Sequence, residues 1–195
     1  MDQKTNKHLI FEGAEMVGKS FLISQIYEHL EKKDSSQSKI LDGCHWFNCD
    51  VGVLGTENGD KLLKDYLHIL KTLKNKNTIF EKFHLTHAVY QKIYQHQNTN
   101  FNKVDKKLKK ENAKLILITV ASEDVFRQRI PDRLKQFPYY QKILRKPSDY
   151  FDQQKEYISF FEQSSLKKIK VDFSEALNKE VQQKTINQIL NFINE

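Results

Sequence analysis

The chain has few of the residues that build disulfide frameworks, metal clusters or membrane spans. Its 195 residues include two cysteines, three prolines and six glycines. Cys44 and Cys49 have no second pair, which excludes the usual zinc-binding spacings and predicts reduced thiols. No apolar run approaches the roughly 20 residues of a membrane-spanning helix, and residues 1–7 do not resemble the start of a signal peptide. We therefore expect a cytoplasmic protein without a membrane anchor.

The charge is basic, with a formal net value of +7. Such a balance suits a polyanionic partner, which could be a nucleotide or a nucleic acid. Many lysines crowd residues 103–114, together with Asp105 and Glu111. That segment contains no aromatic residue that could stack on a base, so a solvated helix face explains it better than a nucleic-acid surface. A nucleotide is therefore the favoured anionic partner.

The most specific motif lies at residues 13–20, which read Gly-Ala-Glu-Met-Val-Gly-Lys-Ser. This sequence matches the phosphate-binding loop G-x-x-x-x-G-K-[ST]. The apolar run 8–11 before it predicts a buried strand, and the apolar spacing over 21–30 predicts a helix after it. Strand, loop and helix in that order form the context in which backbone N–H groups hold a phosphate.

The motif predicts ATP and Mg²⁺ as the cofactors. Lys19 would reach the terminal phosphates, and the Ser20 hydroxyl would bind the metal. We expect the nucleotide to contact Gly13, Ala14, Glu15, Met16, Val17, Gly18, Lys19, Ser20 and Phe21.

Strands and helices alternate along the rest of the chain. Strands are predicted at 39–47, 78–81, 114–120 and 168–173, and helices at 18–32, 62–73, 86–97, in the lysine-rich segment, after Ser122 and at 181–193. Residues 50–60 hold half of the glycines and are predicted to form a loop. This order predicts a single domain over 1–195 with a three-layer α/β/α fold and a central parallel sheet of about five strands.

A second site element should be an acid at the end of a neighbouring strand, where it can hold Mg²⁺. Glu81 ends the predicted strand at 78–81 and is the favoured metal ligand. An ion pair with Lys82 is its structural alternative. Asp124 also follows a strand, but its place at a helix start suits dipole compensation.

Arginine is scarce and concentrated. Of four arginines, Arg127, Arg129 and Arg133 lie within seven residues. A guanidinium binds phosphate oxygens bidentately, so this cluster favours a phosphate role over a solvated helix face. We expect Arg127 to bind the nucleotide, and Arg129 and Arg133 to act in catalysis. Pro131 predicts a kink or hinge within a lid over about 127–146.

These segments together resemble the thymidylate kinases and deoxynucleoside kinases. Residues 11–20 resemble their F-E-G-x-x-x-x-G-K-[ST] opening. Residues 79–91, Ile-Phe-Glu-Lys-Phe-His-Leu-Thr-His-Ala-Val-Tyr-Gln, are similar to their third-strand segment, and 124–133 to their lid. The order and spacing agree over most of the chain. Three differences stand out: Lys82 replaces an arginine, Met16 replaces a frequent glycine, and 48–56 replaces the acceptor segment of thymidylate kinases.

The resemblance implies a P-loop kinase that transfers a phosphoryl group from ATP to a small acceptor, a nucleoside or a nucleoside monophosphate. It implies acceptor contacts from Lys82, Phe83 and Tyr90, and a general base near Asp50, although a loop aspartate also suits a turn. Trp46 and Phe47 are further candidates to hold a base, whereas His84 suits a structural role. The protein could form a homodimer. The differences leave a second hypothesis, a nucleotide-binding regulatory protein with weakened turnover.

Overall fold

The computed structural model describes residues 6–36 and 39–195. Within them, each strand is followed by one or more helices. The strands are β1 (His8–Glu12), β2 (Cys44–Asn48), β3 (Asn77–Glu81), β4 (Lys114–Thr119) and β5 (Lys167–Asp172). The helices are α1 (Lys19–Asp34), α2 (Glu57–Thr72), α3 (His84–Gln95), α4 (Asn102–Lys110), α5 (Glu123–Gln136), α6 (Pro147–Gln163) and α7 (Lys179–Asn194), with a 3₁₀ helix at Pro138–Lys142.

The five strands form one parallel sheet in the order β2-β3-β1-β4-β5. Helix α1 packs with α7, and α3 and α5 both pack with α6. The sheet thus lies between two helical layers, which confirms the predicted three-layer α/β/α fold. Because both of its faces are covered, the central strand β1 is a continuous run of buried residues.

The carboxyl ends of three strands meet at one edge of the sheet. Phe11 of β1 pairs in register with Glu81 of β3, and Glu81 pairs with Asn48 of β2. The chain crosses from one side of β1 to the other between β3 and β4. A crevice forms at such a crossover point in open α/β sheets, and it is where these folds bind their ligands.

Some local features differ from the prediction. Strand β2 covers Cys44–Asn48, and residues 39–41 are not part of it. Helix α2 begins at Glu57, so the predicted loop over 50–60 ends earlier and Gly59 is helical. Helix α5 includes Pro131 in its interior, and the kink or hinge expected there stays a prediction. Helix α6 was not predicted. None of the helices in the described part of the chain is long and apolar enough to cross a bilayer.

Candidate nucleotide and phosphoryl-transfer site

The phosphate loop connects β1 to α1, and two of its glycines are needed for its shape. Gly13 and Gly18 have φ values of 139° and 96°. A Cβ at Gly13 would lie 2.4 Å from the carbonyl oxygen of Ile118, and one at Gly18 would lie 2.6 Å from the Phe173 ring. Both positions therefore exclude a side chain, for lack of space and because of the backbone conformation. The loop is held tightly against β4 and the end of β5.

Lys19 folds back over this loop. Its Nζ donates hydrogen bonds to the carbonyl oxygens of Gly13 and Ala14, both at 2.7 Å. The side chain is buried, and this burial lowers its pKa to about 8, although the nearby Glu81 carboxylate acts in the opposite direction. The ammonium group of Lys19 thus lies against the loop, within reach of a phosphate that the loop would bind.

Ser20 and Glu81 come together at the crevice, as the sequence predicted for the metal site. The Ser20 hydroxyl donates to Oε1 of Glu81 at 2.7 Å. The second carboxylate oxygen, Oε2, is buried and has no hydrogen-bond partner among the described residues. A hydroxyl and a carboxylate are hard oxygen ligands that suit Mg²⁺. In residues 6–36 and 39–195 no cluster of three or more His, Cys, Asp or Glu side chains could hold a metal.

The loop opens into a cleft of about 700 Å³. The phosphate loop and α1 form its floor, the ends of β2 and β3 form one wall, and α5 with the following segment forms the other. Its lining residues are Glu15, Met16, Gly18, Lys19, Ser20, Phe21, Asn48, Asp50, Val51, Glu81, Lys82, Arg129, Asp132, Arg133, Gln136, Tyr140, Ile143, Leu144 and Tyr150. This volume is within the usual range of small-molecule sites.

The three clustered arginines, Arg127, Arg129 and Arg133, lie in three different environments. Arg127 is exposed and pairs with Glu123 at 2.9 Å, on the outer side of α5 and away from the cleft lining. We therefore correct its predicted nucleotide contact, because α5 turns this residue away from the cleft. Arg133 lines the cleft, where its guanidinium lies over the rings of Phe137 and Tyr140 at 4.7 and 4.3 Å.

Arg129 is directed at backbone carbonyls. It donates to the carbonyl oxygens of Met16 at 2.7 Å and Ser174 at 3.1 Å, and also to that of Phe173. The structure therefore places this arginine beside the loop, with three carbonyl partners, and the predicted catalytic contact with a phosphate is not what its geometry favours.

The predicted acceptor residues are only partly brought together. Asp50 and Lys82 line the cleft. Phe83 is fully buried in the core against Tyr66 and Phe80, at ring-centroid distances of 5.2 and 5.3 Å. We therefore correct its predicted acceptor contact. The cause is the backbone at Lys82, whose φ of 68° turns the chain sharply after β3.

Tyr90 does not line the cleft, but it touches a residue that does. Its hydroxyl donates to Glu15 at 3.0 Å, so a role for Tyr90 would act through that carboxylate. The other aromatic candidates also lie elsewhere: Trp46 packs against Tyr27 at 6.4 Å, and Phe47 stacks on Phe80 at 5.1 Å. His84 is fully buried 3.0 Å from Asp105, consistent with its expected structural role.

Sequence reasoning missed two buried anchors beneath the site. The carboxylate of Glu12 accepts hydrogen bonds from the backbone N–H groups of Phe83, Leu85 and Thr86 and from the Thr86 hydroxyl. It thereby ties the last residue of β1 to the N-terminus of α3. The available signal was its position, since a carboxylate that ends a buried strand requires donors.

The second anchor holds the loop that carries Asp50. The backbone N–H of Gly55 donates to Nδ1 of the buried His87 at 3.0 Å, and Nε2 of this ring lies 3.2 Å from Asp60. Burial lowers the pKa of His87, and Asp60 acts against that shift. The neutral ring that results has one accepting nitrogen, which suits the Gly55 bond.

Comparison with known proteins supports the fold alone. No family model and no curated protein sequence matches the chain. Among solved structures, it is similar to the Bacillus subtilis YorR protein in complex with phosphorylated GDP, at 15% identity and a TM-score of 0.64 over 94% of this chain and 96% of that one. It is also similar to shikimate kinase from Bacteroides thetaiotaomicron, at 12% identity and a TM-score of 0.60 over 97% of this chain and 99% of that one. The chain therefore has the fold of the P-loop kinases, with a complete phosphate loop at the carboxyl edge of its sheet.

Proposed function

We propose that this protein is an Mg²⁺-dependent kinase that transfers the γ-phosphoryl group of ATP to a small acceptor, a nucleoside or a nucleoside monophosphate. The observation that carries the proposal is the meeting of Lys19, Ser20 and Glu81 in one cleft. A cation for the terminal phosphates and two oxygen ligands for the metal are the parts that phosphoryl transfer requires. The structural similarity to shikimate kinase and to YorR with phosphorylated GDP agrees with it.

The residues divide into a donor side and an acceptor side. Lys19 would leave the carbonyls of its own loop and bind the terminal phosphates. Ser20 and Glu81 would hold Mg²⁺, which neutralises phosphate charge when it is bound. Arg133 would approach the transferring group from the far wall of the cleft. Site closure would then exclude water and favour transfer over hydrolysis.

On the acceptor side, Asp50 and Lys82 face the cleft from the ends of β2 and β3. An acceptor hydroxyl loses its proton as it attacks, so a nearby carboxylate can act as the general base. Asp50 is exposed on the cleft wall and is the candidate for this step. A monophosphate acceptor would need no such base, and Lys82 would then contact its charge. The resemblance to thymidylate kinases and deoxynucleoside kinases includes both cases.

An acceptor panel tests this function. Purified protein is incubated with ATP and Mg²⁺ against the common nucleosides and nucleoside monophosphates, and products are identified by the added mass of one phosphoryl group. We expect transfer to at least one acceptor, and none by a Lys19→Ala variant prepared in parallel. Retained ATP binding without transfer or hydrolysis would instead support the nucleotide-binding regulatory protein, which the replacement of arginine by Lys82 also suggests.

A further inference from the structure

Met16 has a backbone conformation that its side chain disfavours. It lies in the phosphate loop with φ of 62°, in the left-handed region. An L-residue with a side chain rarely occupies this region, because its Cβ approaches the following carbonyl oxygen. Glycine would adopt the same conformation without this clash. A contact that holds the Met16 peptide would therefore stabilise this conformation of the loop.

Arg129 provides that contact from α5, 113 positions away. Its Nη1 donates to the Met16 carbonyl oxygen at 2.7 Å. Its Nη2 donates to the carbonyl oxygens of Phe173 and Ser174 beyond β5. The guanidinium is half-buried, and this burial lowers its pKa. The group still keeps its positive charge, because an arginine side chain does not lose its proton in proteins. One rigid planar group therefore joins α5, the phosphate loop and the end of β5.

We propose that Arg129 is a positioning residue that fixes the left-handed Met16 peptide and so holds the phosphate loop in its anion-binding shape. The N–H and C=O groups of a trans peptide point in opposite directions. Arg129 holds the Met16 carbonyl on its own side of this peptide. The N–H of Val17, which belongs to the same peptide, then points the opposite way, toward a phosphate in the loop. This role rests on the nucleotide site of the proposed function but does not require turnover.

Contacts on the Gly18 side of the loop support this assignment. Phe173 packs its ring against Gly18 and stacks on Phe21 with ring centroids 5.8 Å apart. The carbonyl of the same Phe173 accepts from Arg129. Arg129 therefore braces the loop at Met16 directly and at Gly18 through Phe173. These carbonyl oxygens occupy three of the five N–H donors of Arg129.

A double-mutant cycle tests the proposal. Binding of inorganic tripolyphosphate and of ADP is measured by calorimetry for wild type, Arg129→Ala, Met16→Gly and the double variant. We expect Arg129→Ala to weaken both ligands about tenfold in the Met16 background and clearly less in the Met16→Gly background, because the residue that needs support is gone. Arg129→Lys should restore part of the loss, since one ammonium can still donate to Met16. Arg127→Ala, on the outer side of α5, is the matched control.

Each other outcome overturns the proposal. An equal loss in both backgrounds means that Arg129 acts independently of Met16. Loss of ADP binding with full tripolyphosphate affinity means that Arg129 contacts the nucleoside. If Arg129→Ala does not fold, the same cycle is run with Arg129→Lys, where additive losses again contradict the coupling. Since tripolyphosphate binding needs no acceptor, a chain that fails as a kinase would still answer this question.

Discussion

The hydroxyl of Ser20 donates to Oε1 of Glu81 across 2.7 Å, although 61 positions separate the two residues in the chain. The register of the strand pairing explains why Ser20 and Glu81 meet. Parallel pairing of β1 with β3 sets Glu81 opposite Phe11, just before the phosphate loop, and Ser20, the last residue of that loop, lies in the first turn of α1. Among the described residues the buried Oε2 of Glu81 has no hydrogen-bond partner, which suits a carboxylate that would bind a cation. This arrangement is the strongest physical argument for a metal at the site.

Glu81→Gln should raise the Mg²⁺ concentration needed for half-maximal activity by about tenfold, because the amide keeps the shape but removes the charge that holds the ion. The measurement is a Mg²⁺ titration of phosphoryl transfer at saturating ATP. Asp124→Asn is the control, since its exposed carboxylate lies on α5 near Arg127. A normal Mg²⁺ requirement in Glu81→Gln together with a raised one in Asp50→Asn would assign the metal to the other acid.

Lys19→Ala should abolish turnover and weaken ATP binding, because no other group in the loop places a positive charge at the terminal phosphates. The sequence predicted that Lys19 would reach the terminal phosphates. The structure buries the Lys19 side chain against the carbonyl oxygens of Gly13 and Ala14. Measured turnover equal to wild type would remove the basis for the kinase assignment.

The same lysine predicts proton uptake when ATP binds. Burial holds its pKa at about 8 in the free protein, and an adjacent triphosphate would raise it. Above that pH the free protein has partly lost the proton that the complex retains, so binding takes a proton up and affinity falls as pH rises. Calorimetry at pH 8.5 in two buffers of different ionisation enthalpy measures this uptake. Lys19→Ala should lack it, and an unchanged uptake in the variant would assign the proton to another group.

Arg133→Ala should lower kcat more than it raises KM, by about 2–4 kcal/mol in transition-state stabilisation, the scale of losing a preorganised charge. The side chain is held over Phe137 and Tyr140, and its Nη2 donates to the Tyr140 hydroxyl at 2.9 Å. Arg133→Lys should recover only part of the rate, because a point charge replaces a planar fork. Arg127→Ala controls for the loss of positive charge on α5. If Arg133→Ala keeps the full kcat, none of the three clustered arginines acts in catalysis. The nucleotide-binding regulatory protein then becomes the better hypothesis.

The sequence was sufficient for the parallel sheet and the phosphate loop, because their signals are local. Continuous apolar runs gave β1, β3 and β4, and the glycine-lysine pattern gave the loop. The fold then brought Ser20 and Glu81 together as predicted. These features depend on residues that are close together in the sequence. They also depend on the rule that the carboxyl ends of parallel strands lie at the same edge of the sheet.

What the sequence did not give depends on side-chain direction and on distant partners. Lys82 has a left-handed backbone, which sends Phe83 into the core instead of the cleft. Arg127 and Arg129 are two positions apart, so α5 turns one outward and the other toward the loop. Helix α6 carried a readable signal, with Pro147 at its start and the buried Tyr150, Gln154, Tyr157 and Phe161 at helical spacing.

The last prediction concerns Glu12, the fully buried carboxylate that ends β1. Oε1 accepts from the N–H groups of Phe83 and Leu85 at 3.0 and 2.9 Å, and Oε2 accepts from the N–H of Thr86 at 3.2 Å and from its hydroxyl. Four donors converge on two oxygens at the N-terminus of α3, where the helix dipole also favours a negative charge. A carboxylate satisfies all four donors, whereas an amide cannot.

Glu12→Gln should therefore destabilise the fold by about 3 kcal/mol, because the new NH₂ group faces donors and leaves them buried without an acceptor. Urea unfolding measures the loss as a lower midpoint with an unchanged slope. Thr86→Val, which removes one donor and leaves the carboxylate, should cost less than the amide. Glu28→Gln is the matched control, since that carboxylate is exposed on α1 beside Lys32, and its midpoint should stay at the wild-type value. A Glu12→Gln midpoint equal to that of the control would show that the negative charge at the end of β1 is not required, and that shape alone holds α3 and the adjoining Glu81 and Lys82 in position.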